Sequence, residues 1–183
     1  MNKKFLKTAA MFAIACAPMV VFAQDDKANR TSPPAKASQT IGEATVTIKY
    51  SQPSVKGRTI WGELVPYDKV WRTGANEATI FETSADVTIE GQPLEAGKYS
   101  LFTIPGKEEW TIIFNRQTGQ WGTQYNEAED ALRVKVKPAK APAMTEMLTF
   151  DISEKGKVSL MWENMMVNFK VKPAPTKSAS SQL

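Results

Sequence analysis

From residue 44 to residue 171 the apolar positions mostly fall on every second residue. That period sends alternate side chains to opposite faces of a sheet. Ala44, Val46, Ile48 and Tyr50 alternate with Thr45, Thr47 and Lys49. Val87 and Ile89 alternate with Asp86, Thr88 and Glu90, and Gly91-Gln92-Pro93 breaks the run. Tyr99 to Ile104 is almost continuously apolar and ends at Pro105-Gly106; Trp110, Ile112 and Phe114 begin the next run. The two predict a hairpin across Pro105-Gly106-Lys107. Val134 and Val136, set between Arg133, Lys135 and Lys137, describe a strand with one solvated face, suited to a sheet edge. Leu148, Phe150 and Ile152 lead to a turn at Glu154-Lys155-Gly156, then Val158, Leu160 and Trp162, and last Met165, Val167, Phe169 and Val171. Eight or nine short strands spaced by roughly 10 residues predict an all-β domain: an antiparallel β-sandwich, jelly-roll-like or a partly closed barrel. One short helix is expected over Asn126 to Leu132, with Asn126 as N-cap and Glu127 and Glu129 in its first turn.

The two ends of the chain lack this pattern. Residues 1–23 read as a signal peptide: Lys3, Lys4 and Lys7 precede a nearly apolar run from Thr8 to Ala23, and Val21-Phe22-Ala23 offers a cleavage site. Pro18 interrupts the run, which falls short of the about 20 residues that span a bilayer. A second reading places a lipoprotein cleavage box at Ala13-Ile14-Ala15-Cys16, although Ala13 stands where leucine is usual. Residues 24–37 read as a flexible lead, 38–172 as one β domain and 173–183 as a disordered tail. Asn29-Arg30-Thr31 matches a glycosylation acceptor, a short motif of low specificity. The expected destination is the periplasm or the exterior of a cell.

Charge and composition then narrow the chemistry. The whole chain carries 23 basic and 19 acidic residues, but three of the basic and none of the acidic lie in 1–23. What remains, 20 against 19, has no basic footprint for nucleic acid. Cys16 is the one cysteine, so the mature domain would hold together by burial alone, without disulfides. The chain has no histidine, which excludes Ser-His and Cys-His nucleophiles, histidine bases and histidine zinc sites. Carboxylate, lysine or tyrosine chemistry survives, as does binding without reaction. No cofactor is expected.

Residues 53–79, PSVKGRTIWGELVPYDKVWRTGANEAT, break the strand rhythm. Connections this long inside a compact domain are uncommon and are usually functional or disordered. Trp61, Tyr67 and Trp71 argue against disorder. Lys56-Gly57-Arg58, Trp61-Gly62, Leu64-Val65-Pro66-Tyr67, the block Val70 to Thr79 and Leu101-Phe102-Thr103-Ile104-Pro105-Gly106 resemble a family of secreted bacterial proteins, the domain of unknown function numbered 2911. The resemblance extends over about residues 38–152 and is most specific from Trp71 to Thr79. It implies a β-rich exported bacterial domain and implies no reaction.

Candidate ligand-binding residues are Trp61, Tyr67, Trp71, Arg72, Asn76, Glu77 and Trp121. Arg72 and Glu77 are expected to pair, either bracing the turn at Gly74-Ala75-Asn76 or orienting a ligand. Trp61 and Trp71 are either buried anchors or an aromatic platform for sugar rings. Trp121, in a glycine-flanked loop, is the tryptophan expected to be exposed, whereas Trp110 and Trp162 belong to the core. Glu63, Asp68 and Glu77 would supply the carboxylate pair of a glycoside hydrolase if two of them faced one cleft. The same acids lack the spacing of an EF-type calcium loop. Met144, Met147, Met161, Met165 and Met166 suggest flexible core filling, or in a sharper reading a Cu(I) site. The leading expectation is a non-enzymatic domain that binds a small molecule, a glycan or an envelope partner. The alternatives are a carboxylate hydrolase acting on carbohydrate or cell-wall material, and a structural envelope protein without a ligand site.

Overall fold

A computed structural model describes residues 29–175, in which ten antiparallel strands form two facing sheets. The signal segment, Cys16 and the end of the C-terminal tail lie outside the described residues. The strands are β1 (Pro34–Ile41), β2 (Ala44–Ser51), β3 (Thr79–Thr83), β4 (Val87–Ile89), β5 (Gln92–Leu94), β6 (Gly97–Ile104), β7 (Trp110–Asn115), β8 (Asp130–Val136), β9 (Pro138–Ile152) and β10 (Lys157–Pro173). One sheet has the order β1-β2-β3-β6-β7-β8 and the other β5-β4-β10-β9. Contacts of β1 with β9 and of β8 with β5 place the two layers edge over edge. The all-β sandwich expected from the period-two pattern is the fold, and it is not a closed barrel. Among the described residues no helix is long and apolar enough to cross a membrane.

The core lies between the layers. Val46, Ile48, Phe81, Ile112 and Phe114 face Val87, Ile89, Leu148, Val158 and Phe169 in one buried cluster. Phe114 sits 5.0 Å from Phe81 and 5.9 Å from Phe169, edge to face in each case, which ties the sheets together. The nearly continuous apolar run of β6 has a separate cause. Its outward-facing Phe102, with Ile113 and Ala78, forms a second buried cluster that Tyr125 covers. The connection from β7 to β8 thus packs on the outer face of the larger sheet, so β6 is buried on both faces and loses its polar alternation.

Four local expectations change. A strand starts at Pro34, inside the stretch read as a flexible lead, because β1 pairs with β2 from Pro34↔Ser51 to Ile41↔Ala44. The break at Gly91-Gln92-Pro93 is a hairpin: Ile89 faces Gln92 across Glu90 and Gly91, both at positive φ (49° and 82°), and Pro93 is tolerated because β5 is an edge strand. The expected helix shrinks to a single 3-10 turn, Glu127–Glu129. Asn126 does cap it, accepting from Ala128 N at 3.1 Å, but from Asp130 onward the chain pairs with β7 instead. The last two apolar runs are one strand. Around Glu163 (φ 54°) the ladder shifts, and the inward set passes from Leu160 and Trp162 to Val167 and Phe169.

Candidate functional site

The connection from β2 to β3 is pinned along its length rather than loose. Leu148 N donates to Pro53 O at 3.0 Å and Val55 N to Glu146 O at 2.8 Å, stitching its start to β9. Ile60 and Val65 are buried and close a tight loop through Val65 N to Ile60 O, 2.9 Å. Asp68 N donates to Pro105 O at 2.8 Å, and Trp71 exchanges two backbone hydrogen bonds with Thr103, at 2.7 and 2.9 Å. Trp71 thereby continues the row of β3 beside β6. Of the six non-glycine residues at positive φ among the described residues, four (Lys56, Asp68, Thr73 and Asn76) lie in this segment. Thr73 is the unusual one, being β-branched. Its hydroxyl donates to Thr103 Oγ1 at 3.1 Å, and its carbonyl accepts from Thr79 Oγ1 at 2.9 Å. Such conformations persist where the surroundings over-determine them, and they gather at sites that position side chains.

Four tryptophans meet behind this segment. Trp61 makes edge contacts with Trp71 (5.8 Å), Trp110 (5.1 Å) and Trp162 (5.8 Å), and Trp71 lies nearly parallel to Trp162 at 5.9 Å. The indole N–H groups of Trp61, Trp110 and Trp162 are buried without a hydrogen-bond acceptor. The edge-to-face contacts offer ring faces, which are weak acceptors in place of an oxygen. This arrangement makes Trp61 an internal anchor. Such packing favours the burial reading of Trp61 over the sugar platform.

In front of Trp71 and Trp162 lies a cleft of about 830 Å3, bordered on one side by the β2–β3 connection and on the other by the loop around Trp121. Its volume falls within the range of small-molecule sites. Two backbone bonds join those walls, Gly122 N to Asn76 O at 3.1 Å and Ala78 N to Gln120 O at 3.3 Å. Thr31 and Ser32, just before β1, complete the rim. Among the described residues the exposed large apolar side chains are Leu64, Val70, Trp121 and Met144, and the first three line this one cleft. Their gathering, not the exposure of any one of them, marks the surface.

Among the described residues the charges lining the cleft are of one sign. Lys56, Arg58 and Arg72 line it, and no described aspartate or glutamate does. Arg72 does not pair with Glu77, contrary to the sequence expectation. Glu77 instead accepts two contacts from Arg30 Nη1, each at 2.9 Å, and Asn76 Nδ2 donates to Ser32 O at 3.1 Å. The segment before β1 thus claims the carboxylate, a long-range competitor that spacing within 53–79 cannot show. Arg72 is left half-buried with one hydrogen bond among the described residues, from Nε to Gly74 O at 3.4 Å. Burial draws its pKa below the ordinary value, though a guanidinium stays protonated. The stem of Arg72 crosses Gly122, where an added Cβ would lie 2.2 Å from Arg72 Cδ.

Of the seven candidates, Trp71, Arg72, Asn76 and Trp121 line the cleft, whereas Trp61, Tyr67 and Glu77 do not. Tyr67 packs against Gly62, with the Lys107 ammonium 5.9 Å from its ring centre. Sequence reasoning missed Lys56, Arg58 and Tyr125. The first two belong to the singled-out segment, and Tyr125 follows Trp121 by four residues, so each carried a signal. Trp162 was assigned to the core, where it is, and also floors the cleft. Glu63, Asp68 and Glu77 are absent from the lining, so these three supply no carboxylate pair across it. Tyr125 donates to Asp130 Oδ2 at 2.7 Å, and burial together with that bond pushes its pKa up to about 12. Among the described residues no group of three or more Asp, Glu, His or Cys is placed to hold a metal ion. Met144, Met147, Met161, Met165 and Met166 lie along β9 and β10, with Met165 packed on the core and Met144 exposed.

Comparison with curated proteins and with solved structures finds no match. A family model does match, over residues 32–171, which is most of the chain and all of the sandwich but the end of β10. The chain therefore belongs to the family described as protein of unknown function, DUF2911.

Proposed function

We propose that this is an exported, non-enzymatic binding domain whose ligand, a small molecule or glycan, occupies the cleft between the β2–β3 connection and the Trp121 loop. One observation carries the reading: a cleft floored by Trp71 and Trp162 gathers the exposed Leu64, Val70 and Trp121 around a half-buried Arg72 that has no counter-ion among the described residues. Apolar faces with a few convergent polar groups are the usual make-up of a ligand site. Export rests on the basic, then apolar, first 23 residues. The hydrolase alternative needs two carboxylates across one cleft. Glu63, Asp68 and Glu77 do not line this one, which favours binding over hydrolysis.

A thermal-shift screen of the purified protein against glycans, peptidoglycan fragments, amino acids and metal ions tests the proposal. A ligand of the native state raises the unfolding temperature by mass action. The expected result is a shift that Trp121→Ala or Arg72→Ala abolishes in folded protein. A ligand whose shift survives both substitutions places the site elsewhere. An absence of any shift favours an envelope partner or a structural role.

A further inference from the structure

The cleft holds more than shape. Its apolar surface is indole and aliphatic, and set among it are short hydroxyl and amide side chains: Thr31, Ser32, Ser54, Asn76 and Thr123. An alkyl chain would leave those groups unpaired, at a cost in desolvation. A sugar ring suits both, presenting C–H faces to indole and hydroxyls to the polar groups. Trp121 is 48% exposed and has no ring partner among the described aromatic pairs, so one indole face is free to stack.

Charge adds the second half. Lys56 and Arg58 are exposed, and Arg58 is spent on the carbonyls of Ser54 and Val55. Arg72 differs from both in being half-buried and in having, among the described residues, no partner on either terminal amino group. Its seat is specific: Gly122 leaves room for the stem, and the Gly122–Asn76 backbone bond fixes the wall against which it lies. A half-buried guanidinium is stabilised most by a planar two-oxygen acceptor, which it meets with two parallel hydrogen bonds. A single half-buried positive charge matches a single negative one.

We infer that the cleft selects a saccharide bearing a carboxylate, with Arg72 gripping the carboxylate and Trp121 stacking on the ring. This deepens the binding proposal and rests on it. Arg72 is the specificity-determining residue, and Gly122 is the residue that lets it take its place.

Calorimetric titration of the full chain with hexuronate disaccharides of the galacto, gluco and manno series, each beside its neutral methyl ester, tests the inference. The pair shares a ring and differs in charge. At least one acid is expected to bind tenfold or more tightly than its ester, and raised salt should narrow the gap. Arg72→Gln should remove the preference, so that acid and ester bind alike. Gly122→Ala, which keeps every charge, should weaken the acid in the same direction. Thermal unfolding of both variants shows that they are folded. Equal binding of acid and ester overturns the carboxylate anchor and leaves the binding proposal standing. Inorganic phosphate or 4-hydroxybenzoate binding as tightly as every hexuronate overturns the saccharide. Hexuronates that fail while another compound binds in a Trp121-dependent way overturn the ligand class alone. If nothing binds, the inference and the proposal beneath it both fall.

Discussion

The indoles of Trp71 and Trp162 lie 5.9 Å apart with planes 13° from parallel, one carried by the β2–β3 connection and the other by β10 of the smaller sheet. The floor of the cleft is therefore also a joint between the two layers. Trp162 is almost wholly buried, and truncating a tryptophan in such a position costs about 3–5 kcal/mol. Trp162→Ala should lower stability by that amount in urea unfolding, while Trp121→Ala, on the exposed rim, should stay within about 0.5 kcal/mol. Similar costs for the two would mean that the cluster is not a brace.

The bond from Arg30 to Glu77 straps the segment before β1 onto the wall of the cleft. The two side chains keep 27% and 37% of their exposure, so the pair is worth no more than about 1 kcal/mol to global stability. Its loss should be local. Arg30→Ala is expected to leave the unfolding midpoint nearly unchanged and to speed hydrogen exchange at Gln52, whose N–H donates to Pro33 O at 2.9 Å. Unchanged exchange at Gln52 would show that the strap is held by other contacts.

Alkaline pH should weaken the fold in a definite window. Burial, then the hydrogen bond to Asp130, raises Tyr125 from an ordinary 10.0 to about 12, outweighing the opposing effect of Arg133. Between those values the folded protein keeps a proton that the unfolded chain has lost, so stability falls as pH rises through the window and is unaffected below it. Tyr50 and Tyr99, also raised chiefly by burial, act with the same sign. Tyr125→Phe should lessen the fall measured by denaturant titration from pH 10 upward. An identical pH profile would assign the fall to the other tyrosines.

Exposure separates the five tryptophans. Trp110 and Trp162 are buried, Trp61 and Trp71 are partly covered within the cluster, and Trp121 stands at 48%. Acrylamide should quench one emitting population readily, and Trp121→Phe should remove it. A variant that keeps the same quenchable fraction would show that the cluster opens in solution.

Legibility followed the range of the interactions concerned. Ala44 to Tyr50 announces β2 because inward and outward positions alternate without a break. The hairpin to β5 was hidden by Pro93, a residue that argues against a strand except at an edge, and an edge is a property of the sheet. Asn126 and Glu127 have the local chemistry of a helix start, and Asn126 does make the cap. Pairing with β7, which places Leu132 opposite Phe114, then takes the chain away. Arg72 and Glu77 were recognisable as candidates, but the partner of Glu77 was not. Five residues separate Arg72 from Glu77 and 47 separate Glu77 from Arg30, and the more distant contact is the one formed.

By itself, the order of residues determined the all-β class, the burial of Trp110 and Trp162, the family, and the segment that carries the cleft. Each is written in local periodicity or in contiguous motifs. Only the tertiary structure decided which candidates share a surface, that Trp61 and Tyr67 turn away from it, and that Arg72 faces it without a carboxylate. Those outcomes depend on which distant groups compete for the same partner, and that competition is settled only when the two layers and the segment before β1 close around the connection.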